Sequence, residues 1–169
     1  LYAKENATEN VIHYGTVLFS MNKGDFERPL VTEAFKLVNL PLTDNLFDVL
    51  QASVRMDSIC RGRVGGILVA RDLYGVPIVR TTTKYKSPAH YYSSVHEDLA
   101  RYIAHTVNLS QPLNNAMIER YTNAYSTMGF HSDQSLDLAD NSSIAIFSCY
   151  KYPELVTIPR MLVINSKYP

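Results

Sequence analysis

One stretch divides this chain into two different patterns. Ser94 to Val107 reads as an amphipathic helix: Ser94 and Glu97 have capping-box spacing, and Val95, Leu99, Tyr102, Ile103 and Val107 fall on one face. After it, Met117 to Tyr121, Ile144 to Cys149 and Met161 to Ile164 are short runs of β-formers separated by turn residues. Before it the pattern is mixed. Residues 11 to 20 read as extended, and Thr43 to Ala52 as a helix capped by Thr43 or Asp44. Gly62 to Gly66 reads as a turn, with Gly65-Gly66 opening the strand Ile67 to Ala70. Arg71 to Gly75 then reads as a hairpin turn into Val76 to Val79, where Pro77 favours a sheet edge. Mixed α/β followed by strands predicts helices packed on the outside of an antiparallel sheet or barrel.

A length of 169 residues suits one domain, and 46% hydrophobic against 19% charged residues is the balance of a folded globular chain. The formal net charge is zero, so bulk electrostatics call for neither a nucleic-acid coat nor a membrane surface. No apolar run reaches membrane-spanning length, and the first residues do not have the pattern of a signal peptide. The chain lacks an initiating Met and reads as a trimmed piece. Cys60 and Cys149 are far apart and form no metal-type pair; two free thiols fit a reducing compartment, so an intracellular location, cytoplasmic or nuclear, is expected.

His131-Ser132-Asp133 carries the chemistry. Side chains at i and i+2 of an extended segment share a face, so His131 and Asp133 can offer an imidazole nitrogen and a carboxylate oxygen to one point. That is two thirds of a 2-His-1-carboxylate facial triad, which leaves open positions on Fe(II). Alone, H-x-D is weak evidence, because a surface turn with a solvated Asp reads the same way.

The surroundings sharpen it. Leu113-Asn114 precedes a strand ending in Glu119-Arg120-Tyr121, nine residues separate Tyr121 from His131, and Gly129, His131 and Asp133 follow in register. An apolar strand, Ser143 to Cys149, comes next. Across roughly residues 65 to 165 this arrangement resembles the AlkB-like Fe(II)- and 2-oxoglutarate-dependent dioxygenases. The resemblance implies a mainly β, α+β fold: a double-stranded β-helix (jelly roll) with supporting helices and an N-terminal α/β extension. Residues 1–92 would be that extension with a lid-like segment, and 93–169 the helix and first part of the core. It implies oxidative demethylation or hydroxylation with Fe(II), 2-oxoglutarate and O2. His131 and Asp133 would be the metal ligands, and Tyr121 and Glu119 would stand at the co-substrate positions.

This chain departs from the family pattern at three places. Glu119 replaces the family Asn, and a carboxylate there repels an anionic co-substrate unless it is protonated or turned away. Ser148-Cys149-Tyr150 stands where the family has Ser-Leu-Gly. No histidine follows Asp133, so the third ligand and the co-substrate Arg are expected beyond Pro169; otherwise the chain is a degenerate relative that oxidises nothing.

Between Arg80 and Tyr92 lie Arg80, Lys84, Tyr85, Lys86, Tyr91 and Tyr92, cations for phosphate and rings for bases. The resemblance places a nucleotide-recognition lid near here, with the target base flipped into the site. Arg80, Lys84, Tyr85 and Lys86 are thus the candidate substrate contacts, weighed evenly against an ordinary amphipathic loop. His96 and His105 read as surface or helix-end groups. The rival reading is a noncatalytic jelly-roll fragment that binds nucleic acid or a protein partner.

Overall fold

A computed structural model describes residues 45–71, 85–129, 139 and 142–152, together with the backbone of 15–20 and 35–39. The chain is a mixed α/β fold. Its elements, in order, are β1 (Gly15–Ser20), β2 (Phe35–Asn39), α1 (Leu46–Ala52), β3 (Asp57–Cys60), β4 (Arg63–Val69), β5 (His90–Tyr91), α2 (Ser94–Val107), β6 (Asn115–Tyr121) and β7 (Ser143–Ser148).

Two sheets form. In the first, β1 lies between β2 and β7, antiparallel to both, with Gly15 opposite Asn39 on one side and Ser148 on the other. In the second, β4 is central. β6 runs antiparallel along its whole length, from Arg63 opposite Tyr121 to Val69 opposite Asn115. On its other edge β3 pairs with the first part of β4 and the short β5 runs parallel to the last two residues. The second sheet therefore takes β3, β4 and β5 from before residue 93 and β6 from after it.

Glycine sets the geometry at both ends of the β3–β4 hairpin. The turn is confined to Arg61-Gly62, where Gly62 has φ +80° and a Cβ would come within 2.7 Å of the Tyr125 amide nitrogen. Gly65 and Gly66, expected in a turn, lie inside β4. Gly65 is needed there because a Cβ would sit 2.8 Å from the Ile118 carbonyl oxygen of the neighbouring strand. β4 therefore begins at Arg63 rather than Ile67, since close backbone approach, not turn formation, accounts for the glycine pair.

The core lies under the C-terminal half of β4. Val69 is fully enclosed, and Leu68 packs with Val54 and Tyr92, flanked by Ala70, Ala100, Ala116 and Ile118. Truncating a buried leucine such as Leu68 to Ala costs about 3 kcal/mol in transfer and cavity terms. α2 lays His96, Ala100, Ile103 and Val107 along this side, a stripe at helical spacing. Tyr102, expected on the buried face, is 36% exposed, so the stripe is rotated by about one residue from the periodicity reading.

The start of α2 also differs from expectation. The helix spans Ser94–Val107 as read, but its N-cap is Ser93, whose backbone N–H donates to His96 Nδ1 at 3.0 Å; Glu97 stays exposed. A histidine thus fills the role expected of a glutamate. At the other end Asn108 takes the left-handed conformation (φ 60°), and the Leu109 amide donates back to the Ala104 carbonyl at 2.8 Å. α1 starts three residues later than read, after Asn45 at φ 78°.

His96, expected near the surface, is 5% exposed and bridges both helices. Its Nε2 lies 2.8 Å from Ser53 Oγ, and that hydroxyl donates its own hydrogen to the Leu50 carbonyl at 2.7 Å. Nε2 therefore carries the ring proton and Nδ1 accepts from Ser93. Burial, and then electrostatic interaction with His90, lower the His96 pKa below its ordinary value.

No helix among the described residues is long and apolar enough to cross a membrane. Both cysteines are free; Cys60 is exposed, and burial pushes the Cys149 thiol up to about 11. The strands read at Val76–Val79 and Met161–Ile164, Pro77, and the expected caps Thr43 and Asp44 lie outside the described residues.

Candidate functional site

The β4–β6 ladder puts Arg63 and Gly65 of one strand on the same face as Tyr121 and Glu119 of the other, because side chains alternate along each strand. Arg63 is paired with Tyr121, and Gly65 with Glu119. The empty position at Gly65 lets the Arg63 side chain reach diagonally across the ladder; a Cβ there would come within 3.0 Å of Glu119 Cγ.

Among the described residues, four hydrogen bonds converge on the Glu119 carboxylate. Arg63 donates from Nε at 3.2 Å and Nη2 at 2.5 Å to Oε1, and the Tyr85 hydroxyl donates to the same oxygen at 3.1 Å. The Tyr121 hydroxyl donates to Oε2. The ion pair is shielded: the Arg63 and Glu119 side chains are 17% and 11% exposed. Burial opposes the Arg63 charge, but the Glu119 hydrogen bond and charge outweigh it and raise its pKa. Burial, followed by the bond to Glu119, raises the Tyr121 hydroxyl above its ordinary value.

Aromatic rings frame the guanidinium. Arg63 Cζ lies 6.0 Å from the Tyr121 ring centre and 5.8 Å from that of Tyr125, whose rings are 5.4 Å apart. Tyr125 is carried by the turn after β6, which the Thr122 amide fastens to the Gly62 carbonyl at 2.9 Å.

Tyr85 is delivered from a segment fixed by Asp57. The Lys86 and Ser87 amides each donate to Asp57 Oδ2 at 2.6 Å, and Ser87 Oγ donates to Oδ1 at 2.9 Å. These bonds, the Ser87 amide foremost, hold the Asp57 carboxyl below its ordinary pKa.

Three of the residues singled out from sequence, Tyr85, Glu119 and Tyr121, thus meet at one point. Lys86 is exposed beside them and its amide is held by Asp57. His131, Asp133, Arg80 and Lys84 lie outside the described residues. Tyr92, expected to offer a stacking face, does not: it is 6% exposed in the core, and burial pushes its hydroxyl up to about 12. Tyr91 is 45% exposed, with Arg71 Cζ 4.6 Å from its ring centre.

Arg63 and Asp57 were not found from sequence. A half-buried Glu119 calls for a counterion, but only the strand register shows that Arg63 supplies it. Among the described residues no three His, Cys, Asp or Glu side chains form a group able to hold a metal. Comparison of the chain with protein-family models, with curated proteins and with solved structures finds no match.

Proposed function

We propose that this chain is an Fe(II)- and 2-oxoglutarate-dependent oxygenase of the AlkB-like kind, acting by oxidative demethylation or hydroxylation. The observation that carries the reading is the register of Leu113-Asn114, Tyr121, Gly129, His131 and Asp133, together with β6 ending at Tyr121. The finer architecture in this reading is a double-stranded β-helix, with the second sheet and β7 contributing to its core.

The donor types at His131 and Asp133, one imidazole and one carboxylate, suit Fe(II) as two members of a facial triad. Bound there with 2-oxoglutarate and O2, iron supplies oxidation of a substrate C–H bond. Tyr121 stands at the family's co-substrate position, and its hydroxyl, which donates to Glu119, would have to turn from that carboxylate to hold the co-substrate. Glu119 is compatible with an anionic neighbour because Arg63 meets its charge and two tyrosine hydroxyls donate to its oxygens. The chain's own contribution is to fix this corner of the sheet: Gly65 makes the space, Asp57 holds the Tyr85 segment, and Arg63 sets the charge balance.

The substrate class in this reading is alkylated nucleic acid, contacted through residues 80–92. Lys86 and Tyr91 are exposed for that role, whereas Tyr85 has its hydroxyl on Glu119. The rival is a noncatalytic relative that binds nucleic acid or a protein. What favours it is Glu119 itself, an internal carboxylate at a position where the family has a neutral Asn.

The activity test is conversion of 2-oxoglutarate to succinate, followed by proton NMR with added Fe(II). The oxygenase reading expects slow succinate formation that His131→Ala and Asp133→Ala each abolish. Formation at the same rate in folded variants would sink it.

A further inference from the structure

The donors around Glu119 come from three separate parts of the chain: Arg63 from β4, Tyr85 from the segment before β5, and Tyr121 from β6. Each is anchored by something besides Glu119. Arg63 is framed by the Tyr121 and Tyr125 rings. Tyr85 rides on the segment that Asp57 binds through the Lys86 and Ser87 amides. Tyr121 is held in the β4–β6 ladder opposite Arg63. The cradle is therefore built by its surroundings and not assembled around the carboxylate that fills it.

A guanidinium with two hydroxyl donors, shielded from water, is the chemistry that recognises a carboxylate. Both oxygens of Glu119 receive donors, as both oxygens of a bound acid would. Glu119 reaches the cradle from directly opposite Gly65, where a side chain would crowd its stem.

We propose that Arg63, Tyr85 and Tyr121 form a preorganised site for a small carboxylate, occupied by the chain's own Glu119, and that shortening Glu119 opens it to an external acid. Glu119→Ala removes a methylene and a carboxylate, which is the skeleton of acetate. Acetate is thus the matching probe. This inference goes beyond the oxygenase reading. It needs no metal, so its failure and that of the iron site are separable.

The experiment is thermal unfolding of the metal-free chain in sodium acetate against sodium chloride at equal ionic strength. With 12 Tyr and no Trp in the chain, near-UV circular dichroism reports on tyrosine environments. Glu119→Ala is expected to show a rise in Tm that grows with the logarithm of acetate once acetate exceeds its Kd, about 3–5 °C at ten times the Kd. If Glu119→Ala is unfolded in chloride, acetate is expected to restore the folded signal. Acetamide, which lacks the charge, is expected to do neither. Wild type and the isosteric Glu119→Gln keep the site filled and are expected not to respond. Arg63→Ala combined with Glu119→Ala is expected to lose the response. Should Glu119→Ala fold in neither salt, Glu119→Ser, which leaves one acceptor for the donors, takes its place. Absence of a rise in Tm with acetate beyond that in chloride in the folded truncation overturns the proposal, as does an equal response in wild type or in the double variant.

Discussion

Arg63 and Tyr121 face each other across the β4–β6 ladder, yet Arg63 gives its hydrogen bonds diagonally to Glu119, two residues back along β6. The glycine opposite Glu119 makes that diagonal possible, and Tyr121 donates to the other oxygen of the same carboxylate. One carboxylate thereby receives donors from both sides of the ladder and from the Tyr85 segment.

Removing one partner of this shielded pair leaves the other charge without compensation. Arg63→Ala is expected to destabilise the fold by about 2–4 kcal/mol, and Arg63→Lys by less, because it keeps the charge but loses the guanidinium fork. Arg63→Ala with Glu119→Ala is expected to cost less than the sum of the single changes. Urea unfolding of the four proteins measures this, and strict additivity would contradict the pairing.

Asn at position 119 is shorter than Glu and neutral, so it leaves the Arg63 charge half-buried and unmatched. Glu119→Asn is expected to lower the urea midpoint; an unchanged or higher midpoint would show that the carboxylate is not what holds Arg63.

His96 makes stability depend on pH with a definite sign. Its folded pKa lies below the ordinary 6.5 because burial, and secondarily electrostatic interaction with His90, disfavour the charged ring. The unfolded chain therefore binds the proton more readily. The stabilisation is complete above about pH 6.5 and is lost as pH falls from there through the lower folded value, at no more than about 1.4 kcal/mol per pH unit. The difference between wild type and His96→Gln, measured by urea unfolding from pH 8 to 5, isolates this group. A difference that does not change with pH would contradict it.

Asp57 organises residues 85–87 through backbone amides, so its loss should be local. Asp57→Ala is expected to raise hydrogen-exchange rates at Lys86 and Ser87 while leaving the β4–β6 amides protected. Equal loss of protection in both places would mean that the segment and the sheet open as one unit.

With zero net charge the chain offers no general attraction for phosphate, and the proposed nucleic-acid contact runs through residues 80–92. Binding of a short labelled single strand is expected to weaken steeply with salt, and Lys84→Ala with Lys86→Ala to flatten that slope. Tyr91→Ala is expected to weaken binding with little change in slope, since stacking carries no counterion release. Fluorescence anisotropy across a salt series measures both; no binding even at low salt would turn the substrate proposal toward proteins or small molecules.

The sequence was most legible where one local pattern decided the outcome. α2 spans the residues its periodicity marked, and β6 and β7 lie where runs of β-formers put them. It was least legible where partners are distant in the chain. Ser93 and His96 cap α2 because Ser53, 43 residues before His96, holds the ring's other nitrogen. Gly65 and Gly66 read as turn residues because the strand that approaches Gly65 closely lies more than fifty positions away. Tyr85, Glu119 and Tyr121 were singled out separately, but Arg63, which makes them one site, follows only from strand register. His131 and Asp133 fall outside the described residues, so the metal pair rests on its spacing and its register with Tyr121.

The most direct measurement is an anaerobic calorimetric titration with Mn(II), standing in for Fe(II), on wild type, His131→Ala, Asp133→Ala and Asp57→Ala. Two protein ligands hold a metal less firmly than three, so the account predicts weak one-to-one binding to wild type. It predicts that binding is lost in each of the first two variants and kept in the third. Binding that survives both His131→Ala and Asp133→Ala in folded protein would contradict it.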